Sequence, residues 1–372
     1  MGNRIPPALV AQADTFVALR RDLHRHPELG FEELRTSALV AEKLSEWGYA
    51  VTRGLGGTGV VGQLRRGTGQ RRLGLRADMD ALPITEATGL LHASCHAGLM
   101  HACGHDGHTA MLLAAAHHLA KHGQFSGTLN LIFQPAEEGL SGARKMMEDG
   151  LFERFPCDAI FAMHNMPGHP PGHLLFRSGA FMASSENITI TLHGVGGHGA
   201  LPHHSADPVV AGAAIVMGLQ SIVARNVPPL QMAVITVGAF QAGEANNVIP
   251  QTATLKLSVR SLNRDVRELL NRRIRELVES QAHSYGVRAD IDFRGGYPVL
   301  VNTPAETEFA RQIGRELVGS DHITEQAEPL TGSEDFAFML EDIPGSYLLI
   351  GNGDAATGGH EIGRASCRER VS

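Results

Sequence analysis

The chain has 372 residues, 43% of them hydrophobic, which exceeds an ordinary single domain, predicts two with separate cores and excludes a small cross-linked scaffold. A formal net charge of -7 removes the basic face that a nucleic-acid partner needs, and no apolar run approaches the roughly 20 residues of a spanning helix, so no membrane partner is expected either. Cys95, Cys103, Cys157 and Cys367 are too scattered for a disulfide framework and, with Pro6 and Pro7 interrupting any secretory apolar stretch, predict a cytoplasmic protein.

From Ala8 to about Phe181 helical and strand patterns alternate. Leu39, Val40 and Leu44 share one face of an early helix, and RRLGLR, GTLNLIF and DAIFAM are short apolar strands separated by helical stretches such as GHTAMLLAAAHHLAKHG. This predicts an α/β sheet flanked by helices. Between about Ser184 and Gly295 the order changes. ENITITLHG reads as a strand, DPVVAGAAIVMGLQSIVAR as a helix, QMAVITVGAF and TATLKLSVRS as two strands, DVRELLNRRIRELVESQAHSYG as a helix and VRADIDF as a last strand. That βαββαβ order is the layout of a ferredoxin-like α+β domain. Val266, Leu269, Leu270, Ile274, Leu277 and Val278 recur at helical spacing and give the second helix one apolar face. The helix around Glu306 to Val318 and the strand SYLLIG then resume the first pattern. An α/β domain over residues 1–183 and 296–360 is therefore interrupted by an α+β insertion over 184–295. The last residues, 361–372, carry three Arg and a Cys without apolar periodicity; Glu361 to Val371 looks like translated sequencing-adapter read-through, so the natural chain is expected to break off at about His360.

In open α/β sheets, ligands collect beyond the carboxyl ends of the strands. RRLGLR runs into Asp78 and Asp80, GTLNLIF into Glu137 and Glu138, and DAIFAM into His164, while His101, Cys103, His105 and His108 crowd a Gly-containing loop before a long helix. Singly, each has an ordinary explanation: a strand-end Asp caps a turn, a loop Glu is solvated, a buried Cys is a small hydrophobe. Jointly they suit one or two divalent cations. Thiolate and imidazole favour Zn²⁺, the added carboxylates admit Mn²⁺, Co²⁺ or Ni²⁺, and an oxygen-only Ca²⁺ or Mg²⁺ cage is disfavoured.

The motifs LHRHPELGFEE, RADMDALPI, MHACGHDGHTAMLL, FQPAEEG, AMHNMPG, GGHGALPHHSADP, NNVIP and GSEDFAFML closely resemble the M20 peptidase family, in its subgroup of N-acyl amino acid amidohydrolases that includes hippurate hydrolases and indole-acetyl-amino-acid hydrolases. The resemblance runs to about Gly359. It implies a metal-binding α/β catalytic domain with an inserted lid that also dimerises, two divalent metal ions per subunit, a homodimer or homotetramer, and a small N-acyl amino acid as substrate. Carried over by position, it implies metal ligands at Cys103, which would bridge two ions, His105, Glu138 and His164. Glu137 then resembles the general acid/base and Asp78 an acid orienting a ligand or the base; Asp80, His101 and His108 are read as structural or, as the alternative, as supports behind the ligands. His198, from the neighbouring subunit's lid, would stabilise the oxyanion, and Asn247 and Arg260 would anchor the substrate carboxylate, although a strand-end arginine is as readily a surface ion pair. The family supplies one more histidine ligand shortly after the GGH stretch, where this chain has its adapter-like tail, so one ion is expected to bind weakly or not at all. A dipeptidase or aminoacylase of the same family is the alternative enzyme, and a binding-only metalloprotein the alternative class. Glu137 argues against the latter, since mere binding needs no base, while the missing C-terminal ligand argues for it and for a catalytically impaired metal-binding chain.

Overall fold

The strand Gly127–Gln134 carries an almost unbroken apolar run, and consecutive Leu131, Ile132 and Phe133 are all buried, as a parallel strand covered on both faces requires. It lies inside an eight-stranded sheet of the computed structural model, which describes residues 5–353; His360 and the tail 361–372 lie outside the described residues. The strand order is Ala50–Leu55, Gly59–Arg66, Gly127–Gln134, Arg72–Asp78, Ala159–Met166, Gly345–Gly351, Leu174–Leu175, Ile323–Thr324. Arg72–Asp78 runs parallel to both neighbours, with Asp78 opposite Gln134 and Arg76 opposite Ala162. The three strand ends that carry acids or histidine therefore share one edge. The antiparallel hairpin of the first two strands, absent from the sequence reading, extends the sheet on the other side.

Helices Leu34–Glu46 and His105–His122 cover this sheet, packing Val40, Leu44, Leu113 and Ala116 against Val60, Leu131 and Phe133. Each fully buried Leu or Phe contributes about 1.5–3 kcal/mol by leaving water. These elements belong to the first of two units, which runs to Gly179 and takes up Val301–Glu328 and the chain from Asp335.

The second unit is Ala180–Leu300 with Pro329–Glu334. The sequence reading gives all of 296–360 to the first domain. The segment 329–334 joins the second instead, because the Ala183 amide donates to the Leu330 and Gly332 carbonyls at 3.0 and 2.8 Å and the Leu330 amide to Phe181 at 2.8 Å. Its four-stranded antiparallel sheet has the order Ala233–Ala242, Thr252–Ser261, Ser184–His193, Arg288–Arg294. With helices Pro208–Asn226 and Arg264–Ser284 this is the βαββαβ arrangement, first and third strands in the middle. Asp207 and Asn263 cap the two helices, each side chain accepting two backbone N–H groups of the first turn. Val266, Leu270, Ile274 and Val278 are buried, with Leu269 and Leu277 packed at the margin. Pro208–Asn226, at 19 residues, is by length and composition apolar enough to cross a membrane, which the sequence reading did not find. Its Ala211, Ile215, Leu219 and Ile222 are core residues of this unit, and that packing accounts for one apolar face of the helix.

Candidate metal centre and active site

Gly104, at φ 87°, takes the left-handed conformation that glycine tolerates and starts the helix at His105. His101 and Cys103 therefore lie in the approach loop, while His105 and His108 project from the first two turns, ring centroids 5.3 Å apart. The last residue of Arg72–Asp78 and the histidine of Ala159–Met166 reach the same place from below. Cys103 Sγ lies 3.3 Å from His164 Nε2, and His164 Nδ1 donates to its neighbour's carbonyl, Asn165 O, at 2.6 Å. That bond leaves the Nε2 lone pair as the free one.

His105 is held from behind. Its Nδ1 is 3.1 Å from Asp80 Oδ1, and the other Asp80 oxygen accepts the Glu138 amide at 2.9 Å. His105 Nε2 and Glu138 Oε1 are buried 3.8 Å apart, and among the described residues neither has a hydrogen-bond partner. A buried polar atom without a partner is costly, and two facing each other mark a place built for something that bonds to both. Three groups in this unit bring donor atoms within 4.8 Å of one another: Cys103, His105 and His164; His105, Glu137 and Glu138; Asp78, His105 and His108. His105 is common to all three. Thiol, imidazole and carboxylate in that combination suit divalent metal ions.

The electrostatics agree. Burial opposes ionisation of Asp78, yet His105, Arg76 and His108 hold its carboxyl well below the usual carboxylate range. Burial likewise disfavours a charged His105, but Asp78, Cys103 and the bond to Asp80 raise its pKa well above the ordinary value. Burial pushes the Cys103 thiol up and, helped by His108, pushes His164 down to about 3. Burial also raises Glu138, against the pull of His105.

Glu137 and Glu138 are adjacent in sequence, yet each brings a carboxylate oxygen within 4.8 Å of the other's and of a His105 ring nitrogen, in a turn where Ala136 is left-handed at φ 54°, ψ 45° and Glu138 has left the helical region at ψ 75°. Glu137 is buried and accepts the Asp335 amide at 3.3 Å. The bend in this turn is thus at Ala136. The structure brings together Cys103, His105, Glu137, Glu138 and His164.

Asp78, expected to orient a ligand or the base, accepts from His108 Nδ1 at 2.6 Å and from Arg76 at 2.8 Å, while Asp80, read as structural or as a support behind a ligand, accepts from His105 Nδ1 at 3.1 Å. His108 Nε2 accepts the Asn165 amide at 3.0 Å, which ties Asp78 to the strand end carrying His164. Arg76 and Gln134 also bind Asp335, whose other oxygen accepts the Ala143 amide at 2.9 Å. Sequence reasoning missed Arg76, Asn165 and Asp335. Only the position of Arg76, two residues before Asp78 and so on the same face of the strand, offered a signal.

The remaining predicted residues are in the second unit. His198 pairs with Val248 across a two-stranded ribbon, and the Gly199 amide donates to Asn247 O at 2.8 Å, so His198 and Asn247 are neighbours. The Ala200 amide donates to His198 Nδ1 at 3.1 Å, which leaves the proton on the exposed Nε2. Arg260 is half-buried and donates to the Ser258 and Ser333 hydroxyls at 3.4 and 2.8 Å; among the described residues no carboxylate pairs with it. The ion-pair explanation of Arg260 therefore has no partner here.

An α/β unit that gathers thiol, imidazole and carboxylate donors, interrupted by a ferredoxin-like unit, is the architecture of a metallohydrolase. Residues 74–363 match the model of Peptidase family M20/M25/M40, and the chain belongs to that family as a hydrolase. A hippurate hydrolase of Campylobacter jejuni is 45% identical over 94% of this chain and 91% of its own length. An IAA-amino acid hydrolase ILR1-like 2 of Arabidopsis thaliana is 41% identical over 93% and 78%. Among solved structures, the Bacillus subtilis YXEP protein, described as a dinuclear metal binding peptidase of the M20 family, superposes with a TM-score of 0.79 at 34% identity, covering 92% of this chain and 90% of that one.

Proposed function

We propose that the chain hydrolyses the amide bond of small N-acyl amino acids of the acetyl, benzoyl or indole-acetyl type, giving a carboxylic acid and a free amino acid. The observation that carries this is the facing pair of unpartnered buried atoms, His105 Nε2 and Glu138 Oε1, beside the carboxylate of Glu137. Cys103, His105, Glu138 and His164 would hold two divalent ions, Zn²⁺ or Mn²⁺ in preference. When bound, such ions acidify water and polarise a carbonyl.

Glu137 takes the proton of the attacking water and returns it to the leaving nitrogen, its carboxylate held in place by the Asp335 amide. Asp80 keeps His105 in the tautomer that presents Nε2, and Asp78 does the same for His108. His198, with its proton on an exposed Nε2, would be contributed by the neighbouring subunit's lid and donate to the developing oxyanion. Arg260, free of any carboxylate among the described residues, and Asn247 anchor the substrate carboxylate. The exposed apolar side chains Val209, Val210 and Met217 on helix Pro208–Asn226 fit a second role for this unit, dimerisation.

The test is turnover of N-acetyl, N-benzoyl and indole-acetyl amino acids with Mn²⁺ or Zn²⁺ supplied and then chelated, alongside Glu137→Gln. Chelation should abolish hydrolysis. Glu137→Gln should retain metal and lose about 10²–10⁴-fold in kcat. Hydrolysis that survives metal removal, or a Gln variant as fast as the parent, would remove this mechanism.

A further inference from the structure

None of the roles above uses the N-terminal motif LHRHPELGFEE. Its last residue, Glu33, is completely buried, and its two carboxyl oxygens accept the Ala136 amide at 2.8 Å and the Thr58 hydroxyl at 2.5 Å. Ala136 is the left-handed residue that precedes Glu137, in a conformation that a residue with a Cβ adopts reluctantly. The same segment grips the turn sterically: a Cβ on Gly30 would lie 3.0 Å from both Cα and Cβ of Ala136 and 2.8 Å from Leu140 Cδ1. From the other side the Gly142 amide donates to Ala136 O at 3.0 Å.

We infer that Glu33 is a positioning residue for the hydrolytic site, whose carboxyl locks Ala136 in the left-handed conformation that turns the consecutive Glu137 and Glu138 to separate tasks. The inference rests on the roles given to those two residues above. Without the bond from Glu33, the Ala136 peptide would relax toward the ordinary extended or right-handed regions and carry Glu137 with it. The task needs an acceptor at a fixed reach, not a negative charge. Burial raises the Glu33 pKa to about 7, against the bonds from Thr58 and the backbone, and the carboxyl can accept from Ala136 in either protonation state. An amide of the same length accepts from Ala136 and donates to Thr58; a carboxylate one methylene shorter reaches neither.

The experiment compares the parent, Glu33→Gln and Glu33→Asp for kcat, KM and retention of Mn²⁺ against a chelator. The expected result is a Gln variant within about threefold of the parent in kcat, and an Asp variant that loses 10–100-fold in kcat at little-changed KM and holds Mn²⁺ less tightly. An Asp variant with parental kcat, a Gln variant that falls as far as Asp, or a Gln variant that does not fold would each overturn the role. Should Glu33→Asp not fold, Thr58→Val replaces it, with a loss of more than about threefold in kcat at unchanged KM expected, and parental kcat overturning the inference. A parent that neither holds Mn²⁺ nor hydrolyses any substrate would sink the reading of the site itself, whereas an active parent with an indifferent Glu33 sinks only this inference.

Discussion

The two units bury charge to different extents, the second enclosing Glu186 and Glu334 and the first many more such groups. The core of the second is almost wholly aliphatic, with Ile188, Ile190, Leu192, Ile215, Leu219, Leu255 and Ile274 among its members, and its candidate functional residues sit on a ribbon and at a strand end. The first unit buries Arg20, His24, Glu33, Arg76, Asp78, Asp80, His101, His105, Asp106 and His108 beside its apolar core. Burying charge is costly unless each group finds a partner, and most of these do: Arg20 and His24 hold Asp106, Arg76 holds Asp78 and Asp335, and His108 holds Asp78. The difference teaches where each kind of damage should appear. Apolar truncation in the second unit should cost stability and leave metal binding alone, while polar changes in the first should cost chemistry before they cost the fold.

The largest effect that would break this contrast is in the second core. Leu219→Ala should lower unfolding free energy by about 2–5 kcal/mol while bound metal per chain stays at the parental value. Loss of metal in a variant that remains folded would show that the units are not separable in this way. Asp80→Asn should act in the opposite sense. Asp80 accepts from both His105 and the Glu138 amide, and a single amide oxygen cannot replace two carboxylate oxygens. Competition titrations should show metal affinity reduced about 10–100-fold with the melting temperature nearly unchanged; unaltered affinity would return Asp80 to a structural role.

The smallest expected effect is a pH dependence. His24 lies 2.9 Å from Asp106 and 3.3 Å from Glu86, and because both carboxylates only accept, both ring nitrogens must donate. Burial opposes the charged ring, but Asp106 and Glu86 raise the folded-state pKa above the ordinary 6.5. A histidine raised on folding stabilises fully below its unfolded pKa, and that stabilisation is lost as pH rises from about 6.5 through the raised folded value. Denaturant unfolding of the parent and of His24→Gln should therefore differ most at pH 6 and converge toward pH 9. A pH-independent difference would mean that His24 is not held as an imidazolium.

Much of this was legible in the chain. Periodicity showed the βαββαβ insertion because helix Arg264–Ser284 keeps its apolar stripe strictly on one side and because each strand alternates or runs continuously apolar. The cluster of acids, histidines and cysteine at strand ends pointed to divalent cations because thiol, imidazole and carboxylate donors in combination suit them. What the sequence alone could not do was distribute partners. Asp78 and Asp80 are two residues apart on one face and look equivalent in a string, yet the first bonds His108 and Arg76 while the second bonds His105 and the Glu138 amide. That choice depends on where the helix beginning at Gly104 lands against the sheet. In the same way the assignment of 329–334 to the second unit, the absence of a carboxylate on Arg260 among the described residues, and the grip of Glu33 on Ala136 across about a hundred residues come from long-range packing. Local propensity and residue type determined which groups would be present and on which elements; only the closed tertiary structure, where desolvation forces each buried polar atom to take a particular neighbour, decided which group holds which.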